Sequence, residues 1–410
     1  MNRSFILKTD NIILFTISFF LYTGYYAGLE LIISLGLKDF SRYYSVPIRL
    51  LILLLISYFL FKRFNKRINK KYSIFFFMLM LFFVDYSMMV FINMGAQDYM
   101  LNSFEYIFYL LTWTVIVFLY FCFLDLKKIN LTLVSMIYAG FLMGVISFLL
   151  YGSFFLSGGG RISQMMYEDN NNFISPLVLS YSAVLNFIVY YCYLKSDMVK
   201  KKFTNIIATL MLFFSIPMFV LGASRGAFIA CALCMAYVWI FSNIKIKISS
   251  MIVIPVFIYL VYWISVSTGN NAFDRFLNIK SDVESGSSSA SRLDIWATAW
   301  DYFLKSPIYG GYLEVDGKYP HNIFFEVLMN TGIFGFVLFL IPFLFLAYNG
   351  LVKVNIKYGY FIPLLFILGL SMHLFSGAIY FAPILFAALG LIFNQLNALS
   401  CDVDKIRNGT

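Results

Sequence analysis

The sequence predicts an all-α polytopic membrane protein of about twelve transmembrane helices, with one long outer loop carrying short helices. Three observations lead there. Hydrophobic residues make up 61% of the 410 and charged residues 12%, and the mean hydropathy is +0.83, far outside the range of a soluble domain. Apolar runs recur along the whole chain, each near the ~20 residues that cross a hydrocarbon core at about 1.5 Å per residue. Runs of that length are too long for barrel strands, and in lipid they must satisfy their own backbone groups, so they are helices.

The runs fall near residues 11–35, 43–61, 72–95, 101–124, 131–155 and 171–194, and then 203–222, 226–242, 248–267, 322–348, 358–376 and 378–397. The first is too long for a signal-peptide core and lacks a small-residue cleavage site after it, so it reads as a retained anchor. Short loops rich in Lys and Arg stay in the cytoplasm. The loop KRFNKRINKK at 62–71 therefore orients the first hairpin, and alternation from there puts Lys127, Lys128, Lys195, Lys200 to Lys202, Lys245, Lys247, Lys353, Lys357 and both termini on the same inner side. The organisation expected is one integral membrane domain: helices one to nine over 1–267, a large outer loop over 268–321, and helices ten to twelve with a cytoplasmic tail over 322–410. The net charge of +10 is then mostly a topology feature, and a nucleic-acid partner is excluded; the lipid bilayer is the partner. Cys122, Cys192, Cys231 and Cys234 fall within the apolar runs and Cys401 in the tail, which leaves none for disulfides outside. Cys231 and Cys234 have CxxC spacing, but in mid-helix and without a second pair they read as packing.

Ten basic residues break the inside rule: Lys38, Arg42, Arg49, Arg161, Arg225, Arg275, Lys280, Arg292, Lys305 and Lys318. Some snorkel to headgroups or pair with outer carboxylates such as Asp39, Asp274 and Asp294. Arg225 stands apart. It lies in LGASRGAFIA, 221–230, where one helix ends and the next begins with almost no loop. Gly222, Ala223, Gly226 and Ala227 leave room for a large group, and the positive end of the following helix points the same way, a combination that suits a phosphate. The alternative is a tight turn with one snorkelled arginine.

The outer loop opens on ESGSSSAS, 284–291, after which Ser291 can cap a short helix, RLDIWATAWDYFLKSP. Leu293, Trp296, Ala297, Trp300 and Leu304 recur there at helical spacing, as an interfacial helix requires, and Pro307 ends it. Arg292 in its first turn faces either headgroups or an anion. The chain re-enters the membrane through GKYPHNIFFEVLMNTGIFG. Pro320 stops any helix before it, Asn322 is a plausible N-cap, His321 stands at the lip, and Gly332 and Gly335 permit close helix packing. A histidine there can be neutral and accept a proton. Glu326, a turn deeper, either pairs with an arginine or orients His321. His373, inside a later helix, reads as a satisfied core residue. Glu314 and Asp316, or Glu168 and Asp169, could hold a cation, but outer carboxylates are more often solvated; the chain has no DxD pair and two histidines, so no metal and no cofactor is expected.

The order SRG, then RLDIWATAWDYFLKSPIYGG, then YPHNIFFEVLMNTGIFG, over about residues 221–340, resembles the O-antigen polymerase and ligase superfamily of bacterial envelopes. Upstream, SGGGRISQMMYEDNNNF at 157–173 resembles more weakly the acidic, asparagine-rich outer loop of many members. The resemblance implies a GT-C-like membrane glycosyltransferase of the bacterial inner membrane that works on its periplasmic face without a metal. Its donor would be an undecaprenyl-diphosphate-linked oligosaccharide and its acceptor a growing glycan, with a chain-length regulator as a candidate further partner. Carried onto this chain, Arg225 and Arg292 would hold the diphosphate and His321 would be the base. Arg161, Ser224, Asn322, Glu326 and Arg275 are the further residues expected at the substrate.

Two family functions share this donor and mechanism: polymerisation of O-antigen or capsule repeat units, which the PHNIFFE stretch resembles more, and ligation of finished polymer to lipid A core. A transporter or lipid flippase is the alternative from another class. It would gather charges at mid-depth, where Asp85 and Glu30 are the candidates, and would show repeat symmetry, which this sequence lacks.

Overall fold

The computed structural model describes residues 9–63, 68–93, 100–157, 162, 174–198, 200–269, 288–353 and 360–407. The described part of each of the twelve apolar runs is mostly helical, and the described residues contain no strand beyond one isolated bridge between Val315 and Lys318. The helices are α1 (Thr9–Phe20), α2 (Thr23–Ser34), α3 (Ser41–Arg63), α4 (Lys70–Asn93), α5 (Ser103–Leu110), α6 (Ile116–Phe123), α7 (Ile129–Leu156), α8 (Pro176–Lys195), α9 (Lys202–Gly222), α10 (Arg225–Phe241), α11 (Ile244–Ser267), α12 (Ser288–Lys305), α13 (Ile323–Tyr348), α14 (Phe361–Phe375) and α15 (Pro383–Arg407). Among the described residues, eight helical stretches are long and apolar enough to cross a membrane, a ninth if a bent pair is one span, and α10, α14 and the apolar part of α15 are shorter apolar helices. The protein is thus an all-α polytopic membrane protein.

The first run is bent. It breaks into α1 and α2 at an angle of 56°. Tyr22 leaves helical dihedrals, at φ −152° and ψ −80°, and a Cβ on Gly24 would lie 2.3 Å from the carbonyl oxygen of Phe19, so the bend needs a residue without a side chain.

The contacts gather into two units that interleave along the chain: residues 1–55, 127–279 and 356–371, and residues 56–126, 280–355 and 372–410. In the first, α7 packs against α1, α2, α8 and α9. Lipid supplies no hydrophobic drive between helices, so small residues and buried hydrogen bonds hold them. The Ser18 hydroxyl donates to Thr132 at 3.3 Å, the Asn186 amide donates to Ser215 at 2.9 Å, and Gly140 makes room for Asn186. Glu30, fully buried, accepts from the Ser147 hydroxyl at 3.1 and 3.0 Å. Cys231 and Cys234 are free, buried thiols, as packing residues should be.

In the second unit α13 packs on α4 and α12, and α15 on α6. Gly390 lets α15 approach the Phe118 carbonyl, and the Asn394 amide donates to the carbonyls of Phe121 and Leu124 at 3.0 and 2.6 Å. Gly332 does permit a close approach, but of loop backbone rather than a helix. It breaks α13 at φ 60° and ψ −163°. The segment after α12 docks into the break: the N–H of Gly311 donates to Met329 O, while those of Ile333 and Phe334 donate to the carbonyls of Pro307 and Ile308, at 3.0, 2.8 and 3.2 Å. Gly335 leaves its notch to the Asp85 carboxylate and Thr331.

Candidate active site

His321 sits between an anchored turn and a capped helix, both in the second unit. Asn322 caps α13, its side chain accepting from the N–H groups of Phe324 and Phe325 at 3.0 and 3.4 Å, which is the cap expected from the sequence. Just before His321, the Pro320 carbonyl accepts from the indole N–H of Trp296 at 2.8 Å. Held from both sides, His321 adopts φ 58°, a left-handed backbone that costs a non-glycine residue about 1–3 kcal/mol and tends to occur where function needs it.

The ring of His321 packs on Tyr319, centroids 4.3 Å apart. One ring nitrogen hydrogen-bonds the backbone carbonyl of Ser376, which also accepts from the Tyr319 hydroxyl at 3.2 Å. Nδ1 is buried without a hydrogen-bond partner. The nitrogen facing Ser376 therefore carries the proton, and Nδ1 carries the lone pair. Burial first, then the Arg292 guanidinium and Lys318, push the His321 pKa down to about 4 against a smaller upward pull from the Ser376 carbonyl. At neutral pH the imidazole is uncharged.

Helix α12 brings Arg292 within electrostatic range of His321. The face of α12 that packs carries Ile295, Ala299 and Tyr302, set against Val315, Phe325 and Met329, while Trp296 stacks on Phe325 at 5.9 Å. Arg292 shares that stripe at i−3 and i−4 of Ile295 and Trp296. Of the stripe read from the sequence, Leu293, Trp300 and Leu304 stay exposed, at 53%, 45% and 55%, an apolar face left unpacked by protein as an interfacial helix requires, while Trp296 packs inward. Ser291 does not cap this helix, which begins at Ser288.

Among the described residues, Glu326 hydrogen-bonds neither an arginine nor His321. It is 1% exposed and accepts from the Tyr86 hydroxyl at 3.0 Å and from the Ile379 N–H at 3.1 and 3.0 Å. It thereby ties down the connection after α14, whose Ser376 carbonyl holds the histidine. Glu314 is likewise not a solvated outer carboxylate: it is 1% exposed and accepts from the Met100 N–H at 2.8 Å and from the Tyr106 hydroxyl. His373 is a satisfied core residue, with Nε2 3.1 Å from the Phe381 carbonyl oxygen.

Ser224 and Arg225 belong to the first unit. Helix α9 ends on Ala223, at φ 40° and ψ 47°, whose N–H returns to Phe219 O at 3.2 Å, a left-handed cap that residues other than glycine seldom adopt. Ser224 is extended and starts α10, its N–H donating to the Ser180 hydroxyl at 3.2 Å. A Cβ on Gly222 would strike that hydroxyl at 2.1 Å. The turn is as short as expected, two residues, and Arg225 is the first helical residue, followed by the buried Gly226 and Ala227. Of the three described non-glycine residues with positive φ, Ala223 and His321 thus fall in the two motifs.

In the second unit, then, His321 lies within the electrostatic range of Arg292 and is followed by the helix-capping Asn322, and Glu326 holds the Ile379 backbone near Ser376. Arg161, Arg275, Glu168 and Asp169 lie outside the described residues. Sequence reasoning missed Trp296 as the anchor of the Pro320 carbonyl, Tyr319 as the ring partner and Ser376 as the acceptor. The aromatic in the RLDIW stretch was visible; nothing in the sequence links residue 376 to residue 321.

A family model described as O-antigen ligase matches residues 210–340, about a third of the chain, and covers the SRG, RLDIW and PHN stretches together. That match bears out the resemblance to the O-antigen ligase and polymerase superfamily and supports a polymerase- or ligase-type enzyme of the glycosyltransferase kind. No curated protein and no solved structure shows a match.

Proposed function

We propose that this protein polymerises undecaprenyl-diphosphate-linked O-antigen or capsule repeat units at the periplasmic face of the bacterial inner membrane, by glycosyl transfer to a growing glycan. The observation that carries the reading is the pairing of a neutral His321, its Nδ1 without a hydrogen-bond partner, with a guanidinium close enough to depress its pKa.

In this reading Nδ1 takes the proton from an acceptor hydroxyl while that oxygen attacks the anomeric carbon of the donor sugar. The bond from that carbon to the diphosphate breaks, and undecaprenyl diphosphate leaves with the electron pair. Arg292 stabilises the charge that develops there, and Arg225 is the second guanidinium that the resemblance assigns to the same diphosphate. Arg161, Arg275, Ser224 and Asn322 are proposed at the substrate; Glu326 acts behind the site. No step calls for a metal.

An imidazole with a pKa near 4 is a weak base, below the range that best suits proton transfer at neutral pH. Arg292 supplies part of that depression. A diphosphate seated on Arg292 cancels its field, so donor binding raises the basicity of His321 just when the acceptor hydroxyl must be deprotonated.

Ligation to lipid A core is the second reading, favoured by the description of the matched family. Purified protein reconstituted with lipid-linked repeat units, with and without lipid A core, separates the two. A polymerase yields a ladder of lipid-linked products without core; a ligase yields product only when core is present.

A further inference from the structure

A cavity of about 670 Å³ opens in the first unit, within the 300–1,000 Å³ range of small-molecule sites. It is framed by α8, α10 and α11, and its polarity is graded. Val184, Phe187 and Phe257 line its deep part, whereas Lys195 and Lys245 line its other end. From Lys195 back to Val184 is eleven residues of helix, about 17 Å at 1.5 Å per residue. That is close to one leaflet of a hydrocarbon core about 30 Å thick.

The cavity is separate from the SRG turn. It meets α10 only from Cys231 to Trp239, and Arg225 lies at the opposite end of that helix. Lys195 closes α8, and Lys245 stands in the first turn of α11, so both cations sit at the helix ends that the lysine-rich loops assign to the cytoplasm. Among the described residues neither lysine meets a carboxylate. Tyr191, one turn before Lys195, lines the same space, and its hydroxyl has no hydrogen-bond partner. Trp239 at the mouth carries Lys247 over its ring at 5.4 Å, an aromatic and cation placed as at a membrane interface.

From this gradient we infer a binding site for an anionic phospholipid of the cytoplasmic leaflet. One acyl chain lies along the apolar depth, and the headgroup phosphate sits between Lys195 and Lys245 with the Tyr191 hydroxyl as a further donor. A free phosphate would use only the lysines and leave the apolar depth empty. The inference is independent of the glycosyltransferase reading.

The test is native mass spectrometry on the purified full-length protein, titrated with phosphatidylglycerol or phosphatidylcholine of identical chains. Wild type is expected to retain phosphatidylglycerol about 30-fold better, the factor that two lysines at about 1 kcal/mol each give against an anionic headgroup. The exposed pair Lys195→Ala and Lys245→Ala together should reduce that preference to parity, and Cys234→Trp, which fills the apolar depth, should weaken both lipids. On the unmodified protein, phosphatidylglycerol with a photoactivatable acyl chain should crosslink within 184–195, 231–239 or 245–257. The proposal is overturned by a wild type without headgroup preference, by a preference that survives in the double lysine variant, or by crosslinks confined to other segments. Displacement by excess inorganic phosphate would overturn it in favour of a bare anion site, and displacement by equimolar undecaprenyl phosphate in favour of an isoprenoid groove.

Discussion

The indole of Trp296 donates to the carbonyl of Pro320 at 2.8 Å, and so a helix in the outer loop sets the backbone of the residue that follows, His321. Trp296→Phe keeps the stacking partner of Phe325 and deletes only that donor. It should cost about 1 kcal/mol of stability and, by letting His321 shift, lower kcat by roughly 10- to 100-fold with little change in KM. Steady-state kinetics on lipid-linked repeat units check this; a rise in KM alone would place Trp296 on substrate binding instead.

The pH dependence follows from the depressed His321 pKa. A base must be unprotonated, so kcat/KM, which reports the donor-free enzyme, should hold as pH falls through 6.5 and drop only near the folded pKa of about 4. By contrast kcat, which reports the donor-bound enzyme, should fall at a higher pH. The folded state binds fewer protons than the unfolded chain between those two values. The contribution of His321 to stability is therefore fully present above 6.5 and is lost as pH falls toward 4. Rate and thermal-unfolding profiles over that window would show both.

Arg292→Gln removes the second-largest cause of the depression. The pKa of His321 should rise, while staying below the ordinary histidine value because burial remains the larger cause. A diphosphate added to wild type should raise it in the same direction. The rate of diethyl pyrocarbonate modification against pH, read by peptide mass spectrometry, resolves His321 from His373, the other histidine of the chain. Arg292→Lys and Arg225→Lys should both abolish polymer ladders at unchanged protein level, since an ammonium cannot make the bidentate phosphate contact of a guanidinium.

Gly332 and Gly310 test the broken helix. A Cβ at Gly332 would lie 2.4 Å from the Ile308 backbone, and one at Gly310 would lie 2.2 Å from Asn330 O. Both residues also have positive φ. Gly332→Ala and Gly310→Ala should each lower stability by more than the ~1–2 kcal/mol that left-handed backbone alone costs. Gly317→Ala, with the same kind of φ of +71° and nothing within 4 Å, should lose only that smaller amount. Melting temperatures of the three variants order them.

Much of this was legible because lipid imposes simple rules. Twelve apolar runs gave twelve helical regions, and Asn322, Arg292 and His321 could be placed by capping and spacing alone. What escaped involves contacts between distant stretches. The apolar periodicity of α12 did not show that Trp296 leaves the exposed stripe to hydrogen-bond the Pro320 carbonyl. Glu326 seemed to want an arginine, but a tyrosine hydroxyl and a backbone N–H satisfy it. Gly332 announced a close approach without saying that the partner was loop backbone.

In the proposed reaction His321 acts as the base, while binding of the donor depends on other groups. The most direct measurement is the single-turnover rate of purified His321→Asn on lipid-linked repeat units at pH 7, alongside its affinity for the same donor. The rate is expected to fall by about 10²- to 10⁴-fold with affinity nearly unchanged. A variant that elongates glycan at the wild-type rate would contradict that role for His321.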